Sequence, residues 1–124
     1  MAAFMKPFAP QVFAVMRIVF GLLFMSHGLS KLIGYPVTAP AMPAPLLYVA
    51  AGIELVGGAL VAIGLLTRWA AFVCSGMMAT AYWTAHGPQA LHPLANHGET
   101  AVLYCFAFLY IAAHGPGIWS ADRK

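Results

Sequence analysis

The feature that most restricts this chain is a series of four apolar stretches, each set off by proline, glycine or a short polar turn. They run over about 11–33, 46–66, 69–86 and 98–114 and fill most of the sequence. At about 1.5 Å of rise per residue, helices of this size reach across a hydrocarbon core about 30 Å thick. A soluble domain carries about 25% charged residues, whereas these 124 residues are 7% charged and 62% hydrophobic. So little polar surface cannot cover a water-soluble globule, but lipid makes the excess apolar surface harmless. The expected fold is all-α, an integral membrane four-helix bundle with four transmembrane helices. No internal repeat or composition break divides it, so residues 1–124 are read as one domain.

The punctuation between the stretches gives topology. Pro36, Pro40, Pro43 and Pro45 exclude helix and mark an extended loop. Lys6 ahead of an apolar run imitates a secretory leader, but Arg17 interrupts that run and three more stretches follow, so it is read as a span. In a four-span arrangement Lys6, Arg68, Arg123 and Lys124 all fall on one side, which predicts that both termini are cytoplasmic. The bilayer is therefore the first expected partner. The net charge of +3 comes from scattered Lys and Arg, with no basic patch for nucleic acid.

Charged side chains inside such stretches are costly unless paired or facing a cavity, and they mark candidate sites. Arg17, Phe24, Gly28 and Lys31 share one stripe of the first helix at 100° per residue, with His27 on its flank and Val15, Val19 and Leu22 on the opposite face. Glu54 lies in the second stretch among Gly52, Gly57 and Gly58, which permit close backbone approach. Counting depth along straight helices places Glu54 between His27 and Arg17, within reach of either; a Glu54–Arg17 pair would cancel two costly charges, and Lys31 and Glu99 make a second pair. Arg17, His27, Lys31, Glu54, Asn96 and Glu99 would then line one ligand or proton pocket. Its cationic surplus would suit an anionic or quinone-like ligand. A structural alternative stays open: the pairs set helix register, and Asn96 to Glu99 forms a capping box.

The remaining chemistry-bearing residues are less pointed. His86, His92 and His97 cluster in one loop and are weak metal candidates, since their spacing matches no compact motif. Cys74 and Cys105 fall at depths differing by roughly 10 Å, too far for a disulfide, and read as small buried hydrophobes. Tyr82, Tyr104 and Tyr110 are candidates to line a cavity with Thr80 and Thr84. Trp69, Trp83 and Trp119 fall near span ends, as interfacial aromatics do.

Taken in order, Arg17-(x)3-Gly21, His27-Gly28-(x)2-Lys31, Glu54-(x)2-Gly57-Gly58 and Gly64-Leu65-(x)1-Thr67-Arg68 resemble the DoxX family of small bacterial membrane proteins. Asn96-(x)1-Gly98-Glu99 and Gly115-Pro116-Gly117-Ile-Trp119-Ser120-(x)1-Asp122 extend the resemblance to nearly the whole chain. The resemblance implies a four-helix protein of the bacterial inner membrane, linked to quinol or thiosulfate:quinone oxidation or to oxidative stress. The corresponding expectation is an accessory or quinone-interacting subunit of a membrane redox system, with a membrane or peripheral redox subunit as partner. Two rivals use the same residues: a small-molecule carrier or permease, and a non-catalytic assembly factor.

Overall fold

The protein is described by a computed structural model over residues 3–122, and every described element is helical. A 3-10 turn, Ala3–Phe8, leads into α1, Ala9–Ile33, with Pro10 in its first turn and Gly34 ending it in the left-handed conformation at φ 70°. The proline loop follows. α2 is Ala44–Ile63, interrupted by a π-helical turn over Ile53–Gly57, and it stops at Gly64, again left-handed. Helix begins two residues earlier than proline content suggests, because Pro45 sits in the first turn, where a missing N–H costs nothing. α3 is Thr67–Ala81, prolonged by a second π turn, Tyr82–His86. An irregular loop leads to α4, Glu99–His114.

Two of these helices, Ala3–Ile33 and Ala44–Ile63, are long and apolar enough to cross a membrane, with mean hydropathies of 1.8 and 2.1. α4 is apolar but has 16 residues, or about 24 Å at the helical rise. Outside the core the surface is apolar almost throughout: Val12, Val15, Val19 and Leu22 on α1, Val49 and Val56 on α2, Phe72 and Val73 on α3, and Leu103 and Phe106 on α4 are all exposed. Water-soluble monomers do not carry a continuous apolar surface of this extent. The face of α1 expected to meet lipid is thus turned outward, and the Arg17, Phe24 and Gly28 stripe is buried.

α1 and α2 pack antiparallel through their small residues. A Cβ on Gly21 would lie 2.6 Å from the Ala62 nitrogen and the Gly58 oxygen, and one on Gly58 would lie 2.7 Å from the Gly21 oxygen. Here the backbones themselves touch, which only glycine allows. α3 closes on the π turn of α2, where the Cys74 sulfur would stand 2.6 Å from a Cβ at Gly57. Ser75 joins α3 to α4 by donating to the Cys105 carbonyl at 2.8 Å. α1 meets α4 through aromatic rings: Phe24 lies 4.8 Å from Phe108 and 5.5 Å from Tyr104, and Phe20 meets Tyr104 edge-on at 5.6 Å. Both cysteines are free thiols, Cys74 fully buried.

Candidate functional site

The antiparallel register of α1 and α2 decides which charges meet. Lys31, in the last turn of α1, donates to Glu54 Oε1 at 2.8 Å. Glu54 belongs to the π turn, a wider coil that appears frequently at functional sites. Its side chain is 3% exposed and that of Lys31 is 12% exposed, so the pair is buried but approachable from the lysine side. Glu54 Oε2 has no hydrogen-bond partner, the one buried side-chain polar atom in that condition among the described residues. An orphaned acceptor of this kind costs about 1–3 kcal/mol, more when charged. Cys74 packs against Gly57 of the same π turn, and His27 meets the Tyr104 ring edge-on at 5.7 Å. His27 itself is exposed on the bundle surface.

The expected Glu54–Arg17 pair does not form. Arg17 is fully buried and spends its donors on carbonyl oxygens: Nε on Val61 at 3.1 Å, one terminal nitrogen on Ile118 at 3.0 Å and on Pro116, the other on Trp119 at 2.6 Å and Ala62 at 3.5 Å. A guanidinium has five N–H groups, so none is left for a ligand or a carboxylate. These carbonyls lie at the end of α2 and in the segment after α4, about two helical turns from Glu54 along α2. That segment is tied down elsewhere too. Asp122 accepts from the Leu66 and Thr67 amides at 2.8 and 2.9 Å and from the Thr67 hydroxyl at 2.8 Å, capping α3. Those bonds, the Thr67 amide first, with help from Arg17, hold its carboxyl below the usual carboxylate range. Arg68 answers by donating to Ala112 and Ala113 at the end of α4, at 3.0 and 2.6 Å.

The Lys31–Glu99 pair is also absent, because Lys31 turns to Glu54 and Glu99 is exposed at the start of α4. The capping box does not form either: the N-cap is Gly98, with no side-chain cap bond. Asn96 instead knots the loop. Its amide donates to the Tyr82 hydroxyl and the Ala90 carbonyl, both at 3.0 Å, and its oxygen accepts from the Gly98 amide at 2.8 Å. The single pocket expected from six residues therefore resolves into separate places. Lys31 and Glu54 form one, with His27 beside it; Arg17 holds the C-terminal segment, Asn96 the loop, and Glu99 lies on the surface.

Nor do His86, His92 and His97 converge as metal ligands; no group of three or more His, Cys, Asp or Glu gathers among the described residues. His86 Nδ1 bonds to the Asn96 carbonyl and His92 Nδ1 accepts from the Leu94 amide. Thr80 and Thr84 bond back to their own helix and are exposed, so they line no cavity. Tyr104 is a candidate from sequence; its contact with His27, and that of Cys74 with Gly57, come from packing that no spacing rule reports.

Comparison with known proteins shows which sequences this chain is similar to. The DoxX family profile matches residues 12–87, which include Arg17, His27, Lys31 and Glu54. A Haemophilus influenzae protein named only as uncharacterized is 38% identical over 97% of this chain and 95% of its own. A Bacillus subtilis protein named "Putative oxidoreductase CatD" is 42% identical over 44% of each chain. No solved structure matches. With the Arg17, Lys31 and Glu54 positions buried in an all-helical bundle and the profile covering more than half of the sequence, the chain belongs to the DoxX family.

Proposed function

We propose that this chain is a four-span protein of the bacterial inner membrane, with both termini cytoplasmic, that serves as a quinone-interacting accessory subunit of a membrane redox system. The observation that carries the reading is the unpartnered Oε2 of Glu54 beside Lys31, buried in a π turn. A lysine has three N–H donors and gives one to Glu54. The pair thus offers an acceptor and spare donors side by side, with no net charge. That combination suits a neutral group bearing both hydroxyl and carbonyl functions, as the reduced and oxidised forms of a quinone do. In this reading Lys31 orients the group, Glu54 receives or returns its proton, and a partner subunit handles the electrons. The four-span topology is supported by the apolar surface of α3 and α4 and by the distribution of Lys and Arg.

The test is quinone content. Protein purified in mild detergent is expected to carry quinone, and Glu54→Gln of unchanged helix content is expected to lose it. Equal quinone in both proteins would overturn the assignment. Uptake of a solute into vesicles holding this chain alone would favour a carrier. A variant that fails only when a redox partner is present would favour an assembly role.

A further inference from the structure

A second site lies away from Glu54, on the lateral face where the N-terminal turn crosses the end of α4. A groove of about 460 Å3 runs there, walled by Lys6, Ala9, Val12, Phe13, Met16 and Tyr110. Its size falls in the range of small-ligand sites, about 300–1,000 Å3. It is shallow and open along one side, and Phe13 at its back is held in place. The Phe13 ring stacks on His114 at 3.8 Å, meets Tyr110 at 6.0 Å, and would lie 2.9 Å from a Cβ at Gly117. Met16, half-buried against the core, has a flexible side chain that adapts to an inserted chain. Lys6 is exposed at one end of this apolar trough, in the short turn that precedes α1.

We infer that the groove holds one acyl chain of an anionic phospholipid, with the phosphate of its head group against Lys6. Charge complementarity selects the occupant: an apolar trough ending in an ammonium matches an apolar chain ending in an anion. The membrane supplies such molecules at this level, since a lysine at a span end lies near the head groups. The site is independent of the quinone reading and of which way the chain faces, and depends only on the first helix spanning a bilayer.

Native mass spectrometry on detergent-solubilised protein, offered phosphatidylglycerol and phosphatidylcholine with identical chains, tests the inference. A lysine near the membrane surface favours anionic lipid by about fivefold, so phosphatidylglycerol is expected to be retained over phosphatidylcholine by about that factor. Lys6→Gln is expected to bring the ratio to about one. Ala9→Phe, which fills the groove floor, is expected to reduce retention of both lipids. Equal retention by the unaltered protein, or a preference that survives Lys6→Gln, would overturn the site. Displacement of the lipid by glycerol phosphate without chains would show that the anion alone binds, and would overturn the acyl-chain assignment.

Discussion

Arg17 and Trp119, 102 residues apart in the chain, meet at 2.6 Å, guanidinium to carbonyl oxygen. The contact is one of five made by Arg17: three fasten the segment after α4 to the middle of α1, and two reach the end of α2. A cation that costs several kcal/mol in hydrocarbon is thereby satisfied wholly by backbone, and it serves the fold rather than a ligand.

Arg17→Ala is expected to lower stability by about 3 kcal/mol or more, since several buried carbonyls lose a charged donor together. Arg17→Lys is expected to fall between, because three donors on a flexible stem cannot serve five acceptors in fixed positions. Thermal unfolding in detergent measures both. In either variant, limited proteolysis should cut after α4 sooner than in the unaltered protein.

The Lys31–Glu54 pair predicts non-additive mutants. Lys31→Met or Glu54→Leu alone leaves an uncompensated buried charge and is expected to cost about 3–5 kcal/mol. The double variant is expected to regain most of that, because apolar side chains suit the site. Quinone content should stay low in all three. A double variant no more stable than either single one would show that the two charges do not act as a pair.

Asp122 gives a pH dependence of definite sign. Its folded-state pKa is lowered, chiefly by the Thr67 amide and hydroxyl, so the unfolded chain takes up its proton first. The stabilisation is complete above the ordinary carboxylate range, about pH 4, and is lost as pH falls through the lower folded value. Unfolding midpoints measured between pH 6 and about pH 3 should fall more steeply for the unaltered protein than for Asp122→Asn. At neutral pH the variant should melt several degrees lower.

Glycines separate into two classes. Gly21→Ala and Gly58→Ala drive a methyl group into facing backbone and are expected to cost about 1–3 kcal/mol. Gly52→Ala and Gly76→Ala meet nothing within 4 Å and are expected to be neutral or to stabilise by up to about 1 kcal/mol, the helix-propensity difference. The same unfolding assay checks all four.

The helices, the buried stripe of α1 and the lipid-facing side opposite it were legible in the sequence, because periodicity of apolar residues reports which face is inside. The pairing of charges was not. Depth counted along straight helices puts Glu54 between His27 and Arg17, but Gly21 against Gly58 and Ala62 sets the actual offset and brings Glu54 to Lys31. The partners of Arg17 were invisible for a different reason: a carbonyl oxygen belongs to every residue, so Pro116, Ile118 and Trp119 leave no signature as acceptors. The motif around Gly115 to Asp122 did stand out, and one of its side chains has a visible reason: the Asp122 carboxylate accepts from the Leu66 and Thr67 amides.

The long reach from Arg17 to the segment after α4 also bears on the order in which the parts of the fold can settle. Synthesis delivers α1 to the membrane roughly a hundred residues before the carbonyls of Pro116, Ile118 and Trp119 exist. Until they arrive, the guanidinium lacks three of its five acceptors and cannot settle in the interior. A chain without Pro116 to Trp119 leaves three of the donors of a buried arginine unpaired, so the first helix and the segment after α4 settle together.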